Sequence, residues 1–165
     1  MATIRDATER DLSSILRILN EAIETTTASW DHDKSTPERC TDWFEQRRQK
    51  GFPVLVAEGA DGVIGFASFG IFRPFQGFLH TAEHSIYVAS EARRQGAGRA
   101  LMEELIQRAR ALQMHVLVAG IEAGNAASLA LHQQAGFEVV GRLPQVGRKF
   151  DRWLDLVFMQ RFLGS

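Results

Sequence analysis

Between a stretch ending in Tyr87-Val88 and a run of helix-forming residues the chain reads Arg93-Arg94-Gln95-Gly96-Ala97-Gly98-Arg99. A glycine-containing turn between a strand and a helix points several backbone N–H groups one way. The helix N-terminus adds partial positive charge, so the segment can hold an anion such as a phosphate. Glycine lets the phosphate approach the backbone, and Arg93, Arg94 and Arg99 supply charge at the rim. The plain alternative is a strand-to-helix turn with solvated arginines. Two familiar phosphate motifs do not fit: the third glycine of a dinucleotide fingerprint would fall on Leu101, and no Gly-Lys-Ser/Thr follows. A second cluster, His80-Thr81-Ala82-Glu83-His84, spells the His-x-x-Glu-His zinc pattern. That pattern requires a helix. On a strand His80 and His84 lie about 13 Å apart at roughly 3.3 Å per residue and cannot share one ion, so no metal site is expected.

The elements that must position these residues follow from periodicity and punctuation. After a short strand around Ile4, Thr8 to Asp11 resembles a capping box, and Leu12, Ile15, Leu16, Leu19 and Ile23 recur at helical spacing. Thr36-Pro37 starts a second helix that turns Cys40 toward the core. Val54 to Ala57, a turn from Gly59 to Gly62, and Val63 to Phe69 read as a hairpin, and a third long strand covers Ala82 to Val88. From Gly98 to Leu112 apolar residues return every three or four positions, a clear amphipathic helix. Val116 to Ala119 reads as a strand buried on both faces, Asn125 to Ala135 as a helix ended by Gly136, and Phe137 to Val140 and Trp153 to Phe158 as the last strands. The order β-α-α-β-β-β-α-β-α-β-β gives an α/β fold.

A length of 165 residues suits a single domain spanning 1–165. With 45% hydrophobic and 24% charged residues, and Phe at 11 positions, the chain can build a core, which excludes general disorder. Nineteen basic against twenty acidic residues give no electrostatic reason to bind nucleic acid or an anionic membrane. Cys40 stands alone, so no intramolecular disulfide forms. The N-terminus carries no signal-like apolar stretch, and no run approaches the roughly 18 residues of a membrane span. A cytoplasmic protein is expected.

The pattern Arg-x-x-Gly-x-Gly after Tyr87-Val88 resembles the acetyl-CoA loop of the GCN5-related N-acetyltransferases. Asn125-Ala126-Ala127-Ser128-Leu129-Ala130-Leu131-His132-Gln133-Gln134-Ala135-Gly136-Phe137 resembles the same family's Asn-x-x-Ala-x-x-Leu-Tyr-x-x-x-Gly-Phe helix and turn, with His132 where most members have tyrosine. Among its branches the phosphinothricin and methionine-sulfoximine acetyltransferases are the most similar. They share the histidine, the Glu83 to Val88 strand, Gly70 to Arg73, Pro144 to Gly147, and Lys149-Phe150 leading to Arg152-Trp153-Leu154-Asp155-Leu156. Phe72, where Trp is common, and Leu79, where Arg is common, depart from that pattern near the substrate loop.

The resemblance implies the acyl-CoA N-acyltransferase fold, its helices flanking a central mixed sheet, and acetyl transfer from acetyl-CoA, without a metal, to the α-amine of methionine sulfoximine, methionine sulfone or phosphinothricin. It implies a homodimer as well. A protonated amine cannot attack a thioester, so Glu83 is the candidate base, and His132 the candidate acid or donor to the departing thiolate. The alternatives are a salt-bridged or solvated Glu83 and a structural His132. On a strand Glu83, Ser85 and Tyr87 share one face, and His84, Ile86 and Val88 the other. Acetyl-CoA falls to Ile86, Tyr87, Val88, Arg93, Arg94, Gln95, Gly96, Ala97, Gly98, Arg99, Asn125, Ser128 and Gln134. The amine substrate falls to Arg73, Pro74, Phe75, Glu83, His84 and Ser85, with Arg73 placed for a carboxylate and Phe75 for a wall; a surface arginine is the alternative. Trp30, Trp43 and Trp153 are expected as core or subunit-contact aromatics, and Lys149, one of three lysines, as solvated. Another small amine, a peptide N-terminus, or a non-catalytic acyl-CoA sensor are the competing functions.

Overall fold

The computed structural model describes residues 1–164. Its elements run β1 (Thr3–Asp6), α1 (Leu12–Thr25), α2 (Pro37–Gln49), β2 (Val54–Gly59), β3 (Gly62–Ile71), β4 (Thr81–Val88), α3 (Ala97–Ala111), β5 (Val116–Glu122), α4 (Ala126–Gln134), β6 (Glu138–Lys149) and β7 (Arg152–Phe162), in the expected order. Three of the four helices begin where a capping side chain stands; α3 begins after Gly96 without one. The Thr8 N–H donates to Asp11 Oδ2 at 2.7 Å ahead of α1, the Thr36 hydroxyl accepts from the Arg39 N–H at 3.2 Å, and Asn125 Oδ1 accepts from the Ser128 N–H at 3.2 Å. Such caps stabilise a helix by typically about 1 kcal/mol. Gly136, at φ +85, turns the chain out of α4 in the left-handed region.

Seven strands form one sheet in the order β1-β2-β3-β4-β5-β7-β6. The β4–β5 pair is parallel and every other pair antiparallel. Only a crossover can join parallel neighbours, and α3 is that crossover. Strands β2, β3 and β5 are apolar on both sides because both faces are covered there. Leu55, Ala57, Ala67, Phe69 and Leu117 join Leu101, Met102 and Leu105 of α3 in one core. Val54, Val56 and Phe66 join Ile15, Ile18, Cys40 and Phe44 of α1 and α2 in the other.

Strands β2, β3 and β5 run two or three residues past their expected limits, and β6 and β7 extend further. The strand expected over Phe137 to Val140 continues as β6 to Lys149, with register shifts at Val139/Gly141 and Leu143/Gly147. Pro144 falls between the second pair of positions, and β6 is an edge strand, where the missing N–H of proline costs no pairing. Glycine and proline therefore interrupt the pattern without ending the strand. The expected Trp153 to Phe158 strand likewise runs from Arg152 to Phe162.

Candidate active site

The sheet contains its own opening. β4 and β5 pair at Thr81–Val116, Ala82–Leu117 and Glu83–Val118 and no further. Yet β4 continues to Val88 beside β3, and β5 to Glu122 beside β7. Past Glu83 the two strands part, and a cleft of about 1590 Å³ lies between them. The margin of β4 facing it keeps backbone N–H and C=O groups without a strand partner, so a ligand lying there can take their hydrogen bonds.

At the far end of β4 the cleft is lined by Val88, Arg93, Arg94, Gly96, Ala97, Gly98 and Arg99. Gly96 stands at φ +88 as the residue preceding α3, a conformation that spares glycine the steric cost of a side chain. A Cβ on Gly98 would meet Leu131 and Val88 only at ordinary distances of 3.5 and 3.7 Å. Arg99 pairs with Glu103 at 2.9 Å, whereas Arg93 and Arg94 have no ion pair among the described residues. The α3 N-terminus, the open glycines and two free guanidinium groups suit the phosphates of a coenzyme. Asn125, Ser128 and Gln134 of the α4 region line the same wall, as do Ile86 and Tyr87. Gln95 does not. Its amide reaches back to the Glu91 carbonyl at 3.3 Å on the exposed side of the turn.

At the root of the cleft stands Glu83, half-buried. Burial pushes its carboxyl above the ordinary value, and the charge of Arg73 pulls the other way. A Cβ on Gly120 would press on Leu156 at 3.3 Å, while Glu83 Oε2 would lie at an ordinary 3.9 Å. Arg73 lines the cleft with Ser85, its guanidinium over the Phe72 ring at 4.2 Å and bonded to the Phe72 carbonyl at 2.7 Å. Pro74 and Phe75 are not in the lining. Phe75 precedes the short 3-10 turn Gln76–Phe78 and is 69% exposed, because that turn carries the segment away from the sheet.

Strand alternation sorts the rest of β4. Tyr87 turns to the α1 side and stacks on Phe66 at 5.2 Å. His84 turns to the other side, only 6% exposed, with Phe137 at 5.2 Å and His132 of α4 beside it. His84 Nε2 and His132 Nε2 are 3.0 Å apart, and His132 Nδ1 donates to the Ser128 carbonyl at 2.7 Å. Burial drives His84 down to about 3 and holds His132 below the ordinary imidazole value. His80 lies outside the strand that holds His84, so the zinc-like spelling has no helix beneath it.

The sequence left one wall unrecognised. The segment after α1, Thr26 to Asp31, lines the cleft together with Glu122, Phe150, Arg152, Leu156 and Phe158. Thr27 donates to Glu122 Oε2 at 3.1 Å, and Glu122 Oε1 takes the Gly124 N–H at 2.9 Å. Lys149, expected as solvated, is 4% exposed: its ammonium donates to the carbonyls of Thr26 and Ser29 at 2.8 and 2.6 Å. Burial lowers its pKa, opposed by Asp31. Trp30, expected as a core or subunit-contact aromatic, lies against Gly147 and faces the cleft. Trp43 packs edge-on to Phe66, and Trp153 is exposed under the Arg148 guanidinium. The contacts that bury Lys149 and Trp30 span more than a hundred residues of chain, and no local pattern signals them.

Residues 15–137 match the model of the Acetyltransferase (GNAT) family. The chain is 52% identical over 160 residues to an L-methionine sulfoximine/L-methionine sulfone acetyltransferase from Pseudomonas aeruginosa, covering 96% of this chain and 93% of that one. It is 56% identical to a ribosomal-protein-alanine N-acetyltransferase from Brucella melitensis of known crystal structure, with a TM-score of 0.95 and coverage of 97% and 99%. A phosphinothricin acetyltransferase from Sinorhizobium meliloti, crystallised with acetyl-CoA, is 38% identical with a TM-score of 0.96, covering 99% and 89%.

Proposed function

The chain belongs to the acetyltransferase (GNAT) family and is an acetyl-CoA-dependent N-acetyltransferase; we propose that its acceptor is the α-amine of a small amino-acid-like molecule, methionine sulfoximine, methionine sulfone or phosphinothricin. The observation that carries this is the presence of Glu83 and Arg73, unbridged, in the lining at the root of the parted strands. One has a carboxyl raised by burial, the other a guanidinium without a carboxylate partner among the described residues. The 52% identity to a methionine sulfoximine/sulfone acetyltransferase supports the same substrate class.

Acetyl-CoA brings a thioester carbonyl that an unprotonated amine can attack. The free margin of β4 at Ile86, Tyr87 and Val88 binds its extended arm, and a backbone N–H there receives negative charge developing on the carbonyl oxygen. Arg93, Arg94, Gly96, Ala97, Gly98 and Arg99 receive the phosphates at the start of α3, while Asn125, Ser128 and Gln134 form the opposite wall. Arg73 grips the substrate carboxylate through two N–H groups and holds the amine toward the thioester, beside Ser85. Glu83 accepts the ammonium proton, directly or through one water. A carboxyl raised by burial is a stronger base than one in water, which suits it to that task.

The whole span 1–165 acts as one domain, in the cytoplasm and as a homodimer. The exposed apolar side chains Val139, Val140, Val146 and Trp153 on β6 and β7 support the pairing of two copies.

Methionine sulfone and its carboxamide, compared by thiol release from acetyl-CoA, decide the substrate class. The free acid should be preferred, and Arg73→Ala should erase most of that preference through the Michaelis constant. Equal rates for the two on the unmodified enzyme would overturn the amino-acid assignment. The likeness to a ribosomal-protein-alanine N-acetyltransferase favours, as the second possibility, a peptide N-terminus, which also lacks a free carboxylate beside the amine. Binding of acetyl-CoA with no thiol release from any amine or peptide would point instead to a sensor.

A further inference from the structure

The rings of His84 and His132 lie nearly parallel, 17° apart, with their Nε2 atoms in hydrogen-bond contact. The positions of their protons follow from the partners. The Ser128 carbonyl offers only lone pairs, so His132 Nδ1, 2.7 Å away, carries hydrogen. In a neutral ring His132 Nε2 is then an acceptor, and the hydrogen in the 3.0 Å contact belongs to His84 Nε2. His84 Nδ1 is left as a bare lone pair. It is the buried side-chain atom that finds no partner among the described residues. Both ring hydrogens of the pair are committed, one to His132 and one to Ser128.

We propose that His84 is a positioning residue for acetyl transfer: by donating Nε2–H it fixes His132 as the neutral Nδ1–H tautomer, which keeps an imidazolium out of the active-site cleft and denies His132 the role of proton donor. The benefit falls to Glu83, the preceding residue on β4. A cation at the α4 wall would lower the basicity of that carboxylate and repel an ammonium substrate. The groups around the pair agree. Phe137 meets both rings edge-on at 5.2 Å, Ser128 Oγ lies 3.4 Å from His132 Nδ1, no carboxylate, lysine or arginine shifts either ring, and the charge that acts on His84 besides burial is that of a protonated His132, which disfavours protonating both. Burial disfavours the charged form of each.

The proposal rests on the acetyl-transfer assignment for its purpose, and it is tested in two independent ways. Long-range ¹H–¹⁵N spectra of the wild-type rings should show hydrogen on His132 Nδ1 and His84 Nε2, with neither ring titrating between about pH 5.5 and 8. Hydrogen on His132 Nε2, or a titration near about 6.5, would overturn it whatever reaction the protein catalyses. The second test is the pH profile of kcat with methionine sulfone. His84→Leu frees His132 Nε2, so His132 should protonate at higher pH than in the wild type and a new inflection should appear on the acid side of the profile, with kcat below it reduced about tenfold and the acetyl-CoA KM within about twofold. His84→Gln, whose amide N–H can replace the imidazole donor, should recover the wild-type shape of the profile. Superposable profiles for wild type and a folded His84→Leu would overturn the proposal; if that variant does not fold, the wild-type spectra decide. Failure of the wild type to acetylate any amine would remove the functional assignment and leave the tautomer measurement standing.

Discussion

Lys149 Nζ stands 2.6 Å from the carbonyl oxygen of Ser29, joining the end of β6 to the segment after α1 across 120 residues of chain. A second donation, to Thr26 at 2.8 Å, makes the ammonium a two-point tie on one wall of the cleft. Hydrogen bonds from a charged donor in a buried place contribute about 1.5–3 kcal/mol, and a carbonyl left without its donor costs about 1–3 kcal/mol. Lys149→Met should lower the melting temperature and raise the Michaelis constant for the amine several-fold while acetyl-CoA affinity stays unchanged. Calorimetry and steady-state kinetics check the two halves separately.

The neighbouring contact gives a sharper steric test. A Cβ on Gly147 would overlap the six-membered ring of Trp30, so Gly147→Ala must displace that ring. The expected result is an amine Michaelis constant changed by about tenfold in a folded protein, since small displacements at a binding wall carry large kinetic cost. Unchanged kinetics would separate Trp30 from substrate binding.

Glu83→Gln should cut turnover by roughly 10²–10⁴ with acetyl-CoA binding retained, the usual scale for losing a general base. The partner substitution fixes the sign of the electrostatics. Arg73 lowers the Glu83 pKa against the larger effect of burial. Removing its charge in Arg73→Ala therefore raises the pKa, and the acid limb of the activity profile moves to higher pH. A move to lower pH would show that Glu83 is not the titrating base.

At the other end of the cleft, Gly98→Ala should fold and bind acetyl-CoA with little loss, because a single Cβ there makes only ordinary contacts. Gly98→Val adds a branch at the start of α3 and should weaken binding by more than about tenfold, measured by titration calorimetry. Gly96→Ala acts differently: at φ +88 any side chain is strained, at about 1–2 kcal/mol of stability.

Much of the fold is legible in the sequence because its signals are local. Thr8, Thr36, Asn125 and Gly136 mark helix ends by their own chemistry, and the alternation from Glu83 to Val88 places Tyr87 and His84 on opposite faces. The end of the cleft proposed for the coenzyme is legible as a structure for the same reason, being one turn and one helix start. The acceptor end is not. Its wall is assembled from Thr26 to Asp31, Glu122, Phe150 and Arg152, with Lys149 tied to the carbonyls of Thr26 and Ser29 behind it, and these residues meet only in the folded sheet. Lys149 could be named from the sequence, but its burial depends on two carbonyls more than a hundred residues upstream. The pairing of His84 with His132 is similar: a histidine at each position is visible, the 3.0 Å contact between them is not.

Three parallel pairings between β4 and β5 are the whole of the direct strand contact between one plate of four strands and another of three. Mechanically the sheet is two stiff panels with a short weld at one corner, bridged above the gap by the apolar cluster around α3 and Phe137. A coenzyme arm bonded along the free margin of β4 then does the work of the missing rungs. Amides along that margin should gain protection from solvent exchange when acetyl-CoA binds, and hydrogen exchange of Leu156 and Phe158, which line the cleft on the opposite panel, reads whether the stiffening crosses the gap.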